Sequence, residues 1–103
     1  MGMIMFYVTF PDRESAAKLS KVLVQERLVA CSNIHPIEST YHWQGSYTED
    51  DEYVAMYKTS HGNTTKTEIR ITELHPYEVP CILYWEFSCN LAYEKWLRHN
   101  ITE

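Results

Sequence analysis

Residues Leu28 to Thr59 read LVACSNIHPIESTYHWQGSYTEDDEYVAMYKT, and the turn inside this stretch decides the fold. Leu28–Ile34 is a short run of β-favouring residues. His35-Pro36 interrupts it, because Pro36 cannot donate a ladder hydrogen bond and marks a bulge or an edge. Extended chain resumes over Ser39–Trp43. Gln44-Gly45-Ser46 is a turn signal, so the chain folds back as a hairpin. The returning strand is expected over Glu52–Thr59. The acidic run Glu49-Asp50-Asp51-Glu52 then falls near the hairpin tip and reads as a solvated stretch.

Working outward, Ile4–Phe10 is a continuous apolar run that reads as a buried strand. Pro11-Asp12 ends it, and Asp12 is a natural helix N-cap with Glu14 in the first turn. Ala16, Leu19, Val22 and Leu23 follow helical spacing, and this helix should end near Arg27. Downstream, Asn63–Leu74 is expected to be a second helix with a thin apolar face of Thr64, Thr67, Ile71 and Leu74. Its threonines and the off-face Ile69 make it poor by propensity. His75-Pro76-Tyr77-Glu78-Val79-Pro80 is a stiff loop. Cys81–Phe87 is the last strand. Asn90 then caps a short helix whose apolar side is Leu91, Tyr93, Trp96 and Leu97. The order βαββαβ plus a helix predicts one α+β domain over 1–103. Its form is a ferredoxin-like antiparallel sheet with both main helices on one face.

The strands carry a further message. Ile4, Phe6 and Val8 oppose Met5, Tyr7 and Thr9; Val54 and Met56 oppose Tyr53, Ala55 and Tyr57; Ile82 and Tyr84 oppose Leu83, Trp85 and Phe87. A one-sided sheet normally alternates apolar and polar residues. Here both faces are apolar, and the helices cover one. The other exceeds what a soluble monomer exposes, so a second copy of the chain is the simplest cover.

Composition narrows the function. A net charge of −5 with scattered Lys and Arg argues against nucleic acid as a partner. No stretch approaches a membrane span, and no signal peptide is visible. Met1-Gly2 resembles a myristoylation start, but Phe6 stands where Ser or Thr is needed. Three cysteines without a CxxC pair suit free thiols in a reducing, cytoplasmic setting.

The candidate chemistry is sparse. His75, fixed between a helix end and two prolines, reads first as a cap on the preceding carbonyls. Its second reading is a metal ligand or proton-transfer group. Glu52 and Lys58 share a strand face but lie roughly 20 Å apart, so each needs a partner elsewhere or an exposed strand end. Cys31 and His35 share a face roughly 13 Å apart, too far to hold one ion alone. Trp43 and Trp96 are core or interface anchors first and pocket walls second. No zinc signature, glycine-rich phosphate loop or nucleophile motif is present, so no enzyme activity is expected.

Several of these stretches resemble the CutA divalent-cation-tolerance family: YVTFPDRESA at 7–16, ERLVACSNIHPIESTYHWQG at 26–45, EYVAMYKT at 52–59, ELHPYEVP at 73–80 and NLAYEKWL at 90–97. The resemblance implies a ferredoxin-like fold related to the PII signalling proteins, assembled as a cytoplasmic homotrimer. It implies tolerance of divalent cations, copper above all, with no obligatory cofactor. The alternative is a PII-like protein that binds a small anion or metabolite between subunits. The family's recurrent positions map to Cys31, Trp43, Glu52, Lys58, His75, Tyr77 and Trp96, around a cleft between subunits. Two positions depart from the pattern. Val8 stands where some bacterial members have a copper-linked cysteine, and Cys81 where they have a glutamate. The metal set expected here is therefore His75, Cys81 and Glu52.

Overall fold

A hairpin longer than the rest of the sheet dominates the computed structural model, which describes residues 2–103. Met1, and with it the reading of Met1-Gly2 as a lipidation start, lies outside the described residues. The elements are β1 (Met3–Phe10), α1 (Arg13–Gln25), β2 (Cys31–Trp43), β3 (Ser46–Ser60), α2 (Thr64–Leu74), β4 (Ile82–Phe87) and α3 (Leu91–His99). The sheet runs β2-β3-β1-β4, and every neighbouring pair is antiparallel. This is the expected α+β ferredoxin-like order.

The hairpin differs from expectation in three ways. β2 runs unbroken through His35-Pro36, with Pro36 opposite Tyr53. It is the outermost strand, so an imino residue there can turn its missing N–H away from β3 at no cost to the ladder. β3 begins at Ser46, not Glu52, so the acidic run lies inside a strand. Leu28–Ala30 falls outside β2, because α1 ends in a left-handed cap. Arg27 has φ +60, Arg27 N–H donates to Val24 O, and Leu28 N–H donates to Leu23 O. Leu28 also packs against the cluster that holds Leu23, the apolar contact that accompanies such a cap. The hairpin turn itself has positive φ at both Gln44 (51°) and Gly45 (82°). That is the two-residue turn whose twist matches the strands it joins, and Trp43 pairs with Ser46 across it.

The helix-facing core is built from Phe6, Val8 and Phe10 of β1, Ala55 and Tyr57 of β3, Leu19 and Leu23 of α1, and Ile71 of α2. Asp12 caps α1 by accepting from Ser15 N–H at 2.7 Å. In α2 only Thr67 and Ile71 are buried, and Leu74 is exposed. Asn90 occupies the N-cap position of α3, but its side chain makes no capping bond.

The second face is not wholly bare, as α3 lies across one end of it. Leu97 is buried with Met3 and Ala30, and Tyr93 and Phe87 pack beside them. Beyond α3 the face stays open: Tyr7 pairs with Leu83 and Met5 with Trp85, and Leu83 and Trp85 are 52% and 43% exposed.

β1 ends at Phe10 opposite Tyr53, so past that point β2 and β3 continue as a two-stranded arm without a third partner. The molecule measures 45 × 24 × 21 Å, with a Cα radius of gyration of 14.2 Å. About 13 Å is usual for this length. The arm carries Tyr41, Trp43 and Tyr47, all exposed. Two strands alone are marginal in water, and an exposed edge is a template for pairing.

Candidate ligand cleft between the arm and the His75 loop

The site begins with His75. It ends α2, its backbone N–H donating to Ile71 O at 2.8 Å. Its ring does not cap the helix, which was the first expectation. The ring crosses to β1, where Nε2 lies 2.7 Å from Thr9 O, and Nδ1 accepts from Tyr77 N–H at 3.0 Å. A backbone N–H can only donate, so Nδ1 holds the lone pair and Nε2 carries the hydrogen given to Thr9. The ring also stacks on Phe10, with centroids 4.6 Å apart. Burial pulls its pKa below the ordinary histidine value, against the Thr9 bond and the Glu52 charge. His75 is thus a neutral clamp that ties the proline-bounded loop to the sheet.

The clamp sets Tyr77, whose hydroxyl donates to Glu52 at 2.5 Å. Glu52 is only 6% exposed, so a buried carboxylate has found its partner across the loop. Burial first, then this bond, raises the Tyr77 pKa and keeps the phenol protonated. The same device repeats on the arm. Tyr41 donates to Asp50 at 2.5 Å, and its pKa is pushed up to about 12, chiefly by that bond.

These pairs wall a cleft of about 710 Å³ between the arm and the loop. The arm contributes Tyr41, Trp43, Asp50 and Glu52, while the loop contributes Tyr77, Glu78, Val79 and Cys81. The volume is that of a small-molecule site. Of the expected residues, Trp43, Glu52, Tyr77 and Cys81 meet here, and His75 stands behind Tyr77. The other three lie elsewhere in the chain. Cys31 pairs with Lys58 across β2 and β3, the Lys58 Nζ sits 5.4 Å over the Tyr93 ring, and Trp96 stacks on Tyr93 at 5.4 Å. That second cluster belongs to the α3 end, at the far end of β3 from Glu52.

Tyr41, Asp50, Glu78 and Val79 were not anticipated. A signal for two of them existed: in a strand, Tyr41 shares the parity of Trp43, and Asp50 that of Glu52. Ser39–Trp43 reads as extended, so the first parity was available, while placing Glu49–Asp51 at a solvated hairpin tip hid the second.

The donors fall short of a preformed metal centre. Among the described residues no group of three His, Cys, Asp or Glu side chains is placed to hold an ion. Both His75 nitrogens are engaged, and Cys81, an exposed free thiol, supplies one soft donor.

Comparison with known proteins agrees with this architecture. A family model described as CutA1 divalent ion tolerance protein matches residues 4–100. The divalent-cation tolerance protein CutA of Pyrococcus horikoshii is 45% identical over 96 residues, covering 92% of this chain and 94% of that one. The protein of the same name from Thermus thermophilus is 42% identical over 95 residues, covering 90% and 92%. The crystal structure of CutA1 from Pyrococcus horikoshii superposes with a TM-score of 0.94 at 40% identity, covering 97% of this chain and 99% of that one. The chain therefore belongs to the CutA1 divalent ion tolerance protein family.

Proposed function

We propose that the protein acts as a cytoplasmic homotrimer, without catalytic activity, in the response to divalent cations, copper above all. Glu52, Cys81 and His75 are the residues that meet the ion. One observation carries the cation reading: a carboxylate and a soft thiol, Glu52 and Cys81, line the same cleft, and no Lys or Arg is among its lining residues. His75 joins them only by giving up Thr9 or Tyr77, so each ion bound costs a hydrogen bond and uptake is weak. Assembly is supported by the open Leu83–Trp85 face and the unpartnered arm. In a closed ring the α3 cluster of one copy can meet the arm cleft of the next. That would reunite Cys31, Lys58 and Trp96 with the rest.

Native mass of the metal-free protein, then with Cu(I), Cu(II) and Zn(II), tests both parts. A species of roughly 37 kDa, three chains, is expected, with metal taken up in a fixed ratio and lost in Cys81→Ser. A folded monomer would refute assembly. A trimer that takes up no metal specifically would refute direct binding.

A second reading, a PII-like protein that binds a small ligand between subunits, is favoured by the cleft volume, which far exceeds one ion. Thermal shift against metabolites separates the two, because a ligand of the native state raises its apparent stability.

A further inference from the structure

Two buried oxygens at the start of α2 lack what burial normally demands. Asn63 closes the 3-10 turn His61–Asn63 that leads into α2, and Thr67 lies one helical turn further on. Both residues are 0% exposed within a single chain, so a neighbouring copy can neither cover nor partner them. Leu28 settles how the Asn63 amide is turned. Leu28 O can only accept, and Asn63 Nδ2 donates to it at 3.0 Å, beside the Thr59 hydroxyl at 2.6 Å. Asn63 Oδ1 therefore points the other way, and neither it nor Thr67 Oγ1 has a hydrogen-bond partner among the described residues. Ser60 Oγ is orphaned as well, but Ser60 has the opposite parity to Thr59 and pairs with Met3 of the α3-side cluster.

Local bonds do not meet the need. A helical threonine can return its hydroxyl to the carbonyl four residues back, as Thr72 does to Glu68 O at 2.9 Å. Thr67 makes no such bond to Asn63 O. Leaving an amide oxygen and a hydroxyl buried and unbonded is costly. Side chains four apart on a helix sit one above the other, with Cβ atoms about 5–6 Å apart. A water with two bonds of about 2.8 Å bridges oxygens up to roughly 5.5 Å apart. A hard cation fits less well, because it demands a full shell of oxygens and two neutral ones are present.

We infer that one water molecule is built into the fold here, giving a hydrogen to Asn63 Oδ1 and bonded to the Thr67 hydroxyl. It locks the Asn63 amide on Leu28 O. The start of α2 is thereby pinned to residues 28–30, through which α1 passes into β2. Helix α2, with only Thr67 and Ile71 buried, has little apolar area to hold it there otherwise.

The test is a high-resolution crystal structure of the intact protein, with urea unfolding of two variants beside it. Density for a water within hydrogen-bonding distance of both Asn63 Oδ1 and Thr67 Oγ1 is expected. It should persist in Thr67→Ser and vanish in Thr67→Val. Valine nearly keeps the shape of threonine and has a similar helix propensity, so the sign of its effect separates a wet site from a dry one. With the water in place, Thr67→Val strands Asn63 Oδ1 and should raise the unfolding equilibrium constant at least about fivefold, the net worth of one hydrogen bond. In a dry site it removes an unsatisfied hydroxyl and should stabilise the protein. No density at the site, a direct Asn63–Thr67 hydrogen bond in its place, or a Thr67→Val protein at least as stable as the parent would overturn the inference.

Discussion

Replacing His75 with alanine tests the clamp directly. The ring makes two neutral hydrogen bonds, to Thr9 O and from Tyr77 N–H, each worth about 1 kcal/mol net. Its stack on Phe10 contributes about 1 kcal/mol more. The expected loss is therefore about 3 kcal/mol. It should be read from urea unfolding midpoints at a fixed protein concentration, with the slope unchanged. His75→Phe keeps the stack and removes both hydrogen bonds, so it should lose about 2 kcal/mol of the three. A loss below about 1 kcal/mol for His75→Ala would refute the clamp. A His75→Phe protein as stable as the parent would confine the contribution to the ring face. The clamp also positions Tyr77, so His75→Ala should impair ligand uptake even where His75 touches no ligand. That is why Cys81→Ser and Glu52→Gln are the cleaner probes of binding.

Three further outcomes follow from other features. Because His75 is held neutral with a pKa below the ordinary 6.5, its contribution is complete above the unfolded value and is lost as pH falls through the folded one. Unfolding of parent and His75→Phe proteins across pH 7.5 to 4.5 should show the difference between them shrinking on the acid side, and a constant difference would contradict it. Arg27 stands in the left-handed region where glycine is at ease, so Arg27→Gly should raise stability by up to about 1 kcal/mol in the same assay. At Gly45, with φ 82°, space is open and only the backbone objects, so Gly45→Val should cost about 1–2 kcal/mol and loosen the arm in hydrogen exchange.

The elements with strong periodicity were readable along the chain. β1, α1 and the Gln44-Gly45 turn follow from apolar spacing, a capping aspartate and turn chemistry. The arm was readable only in part: Ser39–Trp43 is extended as expected, but propensity disfavours strand at Pro36 and through Glu49–Glu52. What overrides it is pairing: β2 and β3 stay in register from Cys31 opposite Lys58 to Trp43 opposite Ser46, Tyr41 reaches across to Asp50, and Pro36 sits on an outer strand. The cleft was half legible for the same reason. Glu52, Tyr77 and Cys81 were recognisable as polar residues near a rigid loop, whereas Asp50 shares the face of Glu52 only once the acidic run is placed in a strand, and the register then brings Tyr41 to it. Likewise, nothing local says that the His75 ring will reach back to Thr9 instead of the helix that it ends.

The arm also has a bearing on the order in which the chain acquires its shape. Trp43 meets Ser46 across a two-residue turn, while Met3 must find Phe87 from the other end of the chain. Short loops close first and distant ones late. The hairpin can therefore zip from its tip while β4 is still being synthesised, and its outer edge is exposed throughout that interval. A nascent chain would carry its stickiest strand before it owns the core that anchors it. The run Glu49–Glu52 places four carboxylates on that hairpin, and like charges brought edge to edge disfavour pairing with another copy.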